Sequence, residues 1–81
     1  MSKLDKLIEK VMTGRGDANI SFADLCGLLI KLGFVERGGS GSHRTFARGE
    51  LFVNLQPDGS KAKAYQVRQV REHLRKLGHS S

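Results

Sequence analysis

Apolar residues at the start of the chain recur at helical spacing. Leu4, Leu7, Ile8, Val11 and Met12 follow the i, i+3, i+4, i+7, i+8 pattern, while Lys3, Asp5, Lys6, Glu9 and Lys10 take the other side. The pattern predicts an amphipathic helix over 3–13 that stops near Gly14. Residues 14–19 read as a connection, and the Arg15, Gly16, Asp17 tripeptide within it as loop composition with no adhesive role. A second helix begins at Ser21, where Ser21 and Asp24 have capping-box spacing, although Asp is a weaker partner there than Glu or Gln. Phe22, Leu25, Cys26, Leu28, Leu29 and Leu32 give it a broad apolar face, and Gly33 stands where a left-handed C-terminal cap is expected.

From 34 to 56 the period changes from helical to alternating. Strands are predicted over 34–37, 43–48 and 51–56, with turns at 38–42 and 48–50, as a three-stranded antiparallel meander. In the third strand Leu51, Val53 and Leu55 share one face and Phe52, Asn54 and Gln56 the other, as expected when helices cover one side only. In the second, Arg44 and Phe46 alternate with His43 and Thr45, so a core-facing Phe46 turns His43 away from the core. Pro57, Asp58 and Gly59 supply turn chemistry, and residues 60–64 lead into a last helix over 65–77. Val67, Val70, Leu74 and Leu77 form its apolar stripe. Arg68, Arg71 and Arg75 form a second stripe around the same helix, extended by Lys61 and Lys63. The whole is an α+β fold in the order α-α-β-β-β-α.

Eighty-one residues are read as a single domain over 1–81, with 3–13 an added N-terminal helix, 21–77 the core and 78–81 a fraying tail. A domain of this size buries only about 60% of the surface its unfolded chain exposes, so a surface site is expected rather than an enclosed one. The charge is lopsided: fourteen Lys and Arg stand against eight Asp and Glu. That excess favours a polyanionic partner, because each phosphate neutralised releases condensed counterions. Membrane attachment is the competing use of basic charge. No apolar run of about 18 residues, signal peptide or lipidation motif is found, so no membrane partner is expected. The single cysteine, Cys26, excludes an internal disulfide and a cysteine-cluster metal site, which places the chain in the cytoplasm, and it reads as a small buried hydrophobe.

The candidate chemistry sits in the stretch 38–46, GGSGSHRTF. Gly39, Ser40, Gly41 and Ser42 can be a plain hairpin turn, or a nest of backbone amides that a phosphate can approach closely. His43 follows directly, with a side chain suited to proton transfer near neutrality. Arg44, Lys61, Lys63, Arg68, Arg71 and Arg75 are the candidate RNA and phosphate contacts, since only Glu72 offsets the arginine stripe within its helix. His73 and His79 read as surface or tail residues.

Gly41, Ser42 and His43 followed by Phe46, in the order helix, strand, Gly-Ser-His, strand, strand, helix, resemble the HicA-type mRNA interferase toxins of bacterial toxin–antitoxin systems. The C-terminal run AKAYQVRQVREHLRKLG looks like the closing helix of one branch of that family. The resemblance covers 21–77 and implies a fold similar to a double-stranded-RNA-binding domain, mRNA cleavage without a metal or other cofactor, and neutralisation by a HicB-type antitoxin. It maps the family's essential histidine onto His43 and the adjacent glycine onto Gly41. The helix over 3–13 is a departure, since the shortest members begin at the helix placed at Ser21; it can cover the sheet or contact the antitoxin.

The chemistry expected is transesterification. His43 takes the proton of a ribose 2′-OH, the oxygen attacks its own phosphate, and the phosphate contacts stabilise the developing charge. The acid for the leaving oxygen stays open among a lysine, Tyr65, water and His43 itself. A non-catalytic RNA-binding module of the same fold is the rival expectation, and a protein interaction domain with a basic face the third.

Overall fold

The computed structural model describes residues 3–38 and 43–78. Gly39, Ser40, Gly41 and Ser42, the expected phosphate nest, and the tail from His79 lie outside the described residues. The amphipathic start forms α1 (Lys3–Thr13), which buries Val11 and Met12 and packs Leu4, Leu7 and Ile8 partly on the same core. Each fully buried side chain of this size contributes about 1.5–3 kcal/mol. Gly14 ends the helix at φ +73°, in the left-handed region that favours glycine. A single 3-10 turn at Asp17–Asn19 lies within the segment expected to be a plain connection and delivers Ile20 to the core.

Helix α2 (Phe22–Lys31) is capped as expected at its start, where Ser21 Oγ accepts from the Asp24 amide at 3.3 Å. Its end is a Schellman motif. Gly33 is left-handed at φ +92°, its amide donates to the Ile30 carbonyl, and the Phe34 amide donates to the Leu29 carbonyl at 2.9 Å. Phe34 therefore belongs to the cap rather than to the first strand, which is shortened to β1 (Val35–Glu36).

Strands β2 (Arg44–Arg48) and β3 (Leu51–Leu55) complete an antiparallel sheet of order β1-β2-β3. Phe46 pairs with Val53, Thr45 with Asn54 and Ala47 with Phe52. Alternation along the strands buries Phe46, Val53 and Leu55 against the helices and turns Thr45, Ala47, Phe52 and Asn54 to the other face. The turn at 57–59 is part of a second small hairpin, β4 (Pro57–Asp58) with β5 (Lys61–Ala62). It is tied to the lead-in of α2, since the Ala62 amide donates to the Ile20 carbonyl and the Phe22 amide to the Ser60 carbonyl. These backbone pairings join segments far apart in the chain, so turn composition alone does not reveal them.

Helix α3 (Ala64–Lys76) closes the fold, burying Val67, Val70 and Leu74. The result is the expected α+β arrangement: a three-stranded antiparallel sheet with helices on one face, in the order helix, helix, strands, helix. The neighbours of α1 are α3 and α2, so the added helix extends the helical layer. Among the described residues no helix is long and apolar enough to cross a membrane.

Candidate active site

As an edge strand, β3 leaves backbone groups without a sheet partner, and α3 lies beside that edge. Two side chains of α3 serve the edge. Just past the end of β3, the Gln56 amide donates to Gln66 Oε1 at 2.7 Å. Within the strand, the Phe52 carbonyl accepts from His73 Nε2 at 2.8 Å. An amide N–H only donates, so Gln66 must present its oxygen to Gln56, which leaves its Nε2 to donate to the Tyr65 hydroxyl oxygen at 3.3 Å. Gln66 is 4% exposed, and its one amide group bridges the end of β3 to the Tyr65 ring.

His73 is half-buried, with its ring stacked on Phe34 at 6.4 Å between centroids. The carbonyl fixes the proton on Nε2, and Nδ1 is buried with no partner among the described residues. The expected surface histidine is thus a clamp between α3 and the sheet.

Between β3 and α3 an open cleft of about 360 Å³ is lined by His43, Phe52, Asn54, Tyr65 and Gln69, with Gln66 and Gln56 at its base. His43 reaches it because Phe46, three residues on, points into the core, so positions 43 and 45 take the opposite face. The ring is half-buried, and among the described residues no side chain holds it by a hydrogen bond or ion pair. A second groove of about 600 Å³, between α1 and α2, has Leu4, Leu7 and Leu28 along it and Lys3, Lys6 and Lys31 on its rim. It holds no group suited to proton transfer near neutrality, so the first cleft is the candidate site.

The expected cationic contacts fall into different environments. Arg44 shares the core-facing side of β2 with Phe46, its guanidinium 5.4 Å from the ring centroid, and is bound by both carboxylate oxygens of Glu36. It therefore faces away from His43. The hydrogen-bonded partners shift each other: Arg44 holds the Glu36 carboxyl below the usual carboxylate range, and Glu36 raises Arg44 further above its ordinary value. Arg71 does not extend an open stripe either. Its Nε donates to the Val11 carbonyl at 2.8 Å and its Nη2 pairs with Asp17, joining α3 to the end of α1. Arg75 pairs with Glu72 on the surface. Arg68 and Lys61 are exposed, Lys63 is half-buried just before α3, and none of these has an ion-pair partner among the described residues.

No protein-family model, curated protein or solved structure matches this chain. Its site must be read from its own chemistry. Among the described residues no three His, Cys, Asp or Glu side chains are grouped to hold a metal ion. Cys26 is buried at 1% exposure, and that burial pushes its thiol pKa up against the opposing charge of Arg44, which keeps the sulfur protonated and inert. Among the described residues lining the cleft, His43 is the one side chain suited to proton transfer near neutrality, with aromatic and amide side chains around it. The sequence points to His43 and Tyr65 but not to Phe52, Asn54 and Gln69, which line the same cleft. Lys76 is exposed and lies on the Tyr65 and Gln69 strip of α3, eleven residues after the first and seven after the second. That spacing, and the outward register of Phe52 and Asn54, were the signals available.

Proposed function

We propose that this chain is a metal-independent endoribonuclease of the HicA-type mRNA interferase kind, acting on mRNA in the cytoplasm and held in check by a HicB-type antitoxin. The observation that carries the reading is the placement of His43. It stands half-exposed immediately before β2, at an open cleft, with its ring unengaged by the described residues. A histidine with a fixed structural role looks different, as His73 does in the same molecule.

In the reaction, neutral His43 accepts the proton of a ribose 2′-OH. The 2′ oxygen forms a bond to the adjacent phosphorus, the bond from phosphorus to the 5′ oxygen breaks, and a 2′,3′-cyclic phosphate is left. The departing 5′ oxygen takes its proton from water in the open cleft. Proton transfer of this kind is worth about a hundred- to ten-thousandfold in rate. The surplus of basic side chains, fourteen against eight, draws the polyanion to the surface, with Arg68, Lys61 and Lys76 exposed cations on or just before α3 that have no ion-pair partner among the described residues.

The test is incubation of wild type and His43→Gln with a labelled single-stranded RNA in EDTA, following cleavage and binding together. Cutting by the wild type alone, with binding by both, is expected, and a 2′-deoxy sugar at the cut site should block cutting. Binding by both with cutting by neither would make the chain a non-catalytic RNA-binding module. Cutting by both would remove His43 from the mechanism.

A further inference from the structure

Among the described residues no Lys, Arg, Asp or Glu lines the cleft beside His43, in a chain where 27% of residues are charged. A surface made to grip phosphate would carry cations, and one made to grip a metal would carry carboxylates. This one has two exposed aromatic rings instead. Phe52 is 60% exposed and Tyr65 49% exposed, and both line the same cleft. Burying such rings is favourable, so rings left open on either side of a cleft have surface available for a flat partner.

Besides His43 and the Tyr65 hydroxyl, the polar side chains that line the cleft among the described residues are amides. Gln66 is committed at both ends, to the Gln56 amide and the Tyr65 hydroxyl, and so holds the wall in place. Asn54 and Gln69 are exposed, and each offers donors and an acceptor in one plane. A planar, uncharged ligand with an edge of mixed donors and acceptors, held between aromatic rings and amides, is a nucleobase. In a duplex that edge is paired and the faces are stacked, so the base must come from a single strand.

We infer that the cleft between β3 and α3 is a nucleobase subsite, in which one unstacked base of single-stranded RNA lies against Phe52 and Tyr65 with its edge at Asn54 and Gln69. This deepens the ribonuclease reading and rests on it for the identity of the polymer. It also gives His43 a defined substrate position, because a base seated here brings its own ribose and phosphate to the His43 end of the cleft.

The experiment is a set of binding titrations by fluorescence anisotropy at fixed salt, using full-length His43→Gln so that the RNA survives. In that background Phe52→Leu and Tyr65→Leu remove a ring and keep apolar bulk, while Tyr65→Phe keeps the ring and loses only the hydroxyl. Circular dichroism confirms that each is folded. Each leucine variant should bind a single-stranded oligoribonucleotide about tenfold more weakly, and Tyr65→Phe, which keeps the ring, should bind more tightly than Tyr65→Leu. A duplex RNA of the same length should bind all four proteins alike. Equal single-strand affinity for the parent and both leucine variants overturns the subsite while leaving the ribonuclease reading intact. Equal losses on duplex and single strand overturn it too, because an unpaired base would then not be what the rings recognise. Absence of RNA binding by the parent overturns both readings together.

Discussion

Arg44 and Glu36 form a two-point ion pair across neighbouring strands, Nε to Oε2 at 2.8 Å and Nη2 to Oε1 at 2.6 Å. The residue next to the candidate catalytic histidine is thereby turned to the other face of the sheet, over Phe46. The pair sits half-open to solvent, so its effect is chiefly to fix the direction of the Arg44 side chain.

The pair carries a pH signature. The folded-state pKa of Glu36 is lowered, so its contribution to stability is present above the ordinary carboxylate range and is lost as pH falls through the lowered folded value. The melting temperature of the wild type should therefore drop on acidification below about pH 4, and Glu36→Gln should drop less steeply over the same range. Thermal melts of the two proteins between neutral pH and pH 2 check the sign.

Arg71 and Arg68, one helical turn apart, should behave in opposite ways. Arg71 is 13% exposed and holds the end of α1 through Val11 and Asp17, so Arg71→Ala should cost about 3 kcal/mol in urea unfolding. Arg68→Ala should change stability by no more than about 0.5 kcal/mol. It should instead weaken RNA binding across sequences and lower the salt slope by about one phosphate contact.

Gln66→Leu should destabilise the protein by about 1–3 kcal/mol, because it leaves the Gln56 amide without its acceptor. Gln66→Glu keeps an oxygen for that amide and should recover part of the loss. Denaturant unfolding of both variants makes the comparison.

The two histidines of the described residues separate cleanly by phenotype. His73→Ala removes the bond to the Phe52 carbonyl and the stack on Phe34, and should lose about 1–2 kcal/mol of stability while cleavage survives. His43→Gln should leave the melting temperature near that of wild type and abolish cleavage. Stability and cleavage assays on the same two preparations test both statements.

Much of the fold was legible in the chain because the relevant information is local. The helical spacing from Leu4 to Met12, the Ser21 cap, the Gly33 stop and the alternation of Leu51, Val53 and Leu55 each depend on neighbours within a turn or a strand. The opposition of His43 to Phe46 is of the same kind, since successive strand residues point to opposite faces whatever the rest of the molecule does. The small hairpin of β4 and β5 was not legible, because its bonds to Ile20 and Phe22 join segments some forty positions apart, well beyond the reach of turn composition.

The sequence by itself therefore determined the three helices, the three-stranded meander, their order and the side of the sheet on which His43 emerges. Only the tertiary structure decided which basic side chains are committed and which histidine is a clamp. Arg71 meets Asp17 across 54 positions and His73 meets Phe52 across 21, so those pairings exist only once α3 has packed beside α1 and β3. The same docking brings Tyr65 and Gln69 to the edge that carries Phe52 and Asn54 and makes the cleft. The physical reason is one of range: backbone periodicity is set by residues a few positions apart, whereas long polar side chains take whatever partners packing brings within about 3 Å.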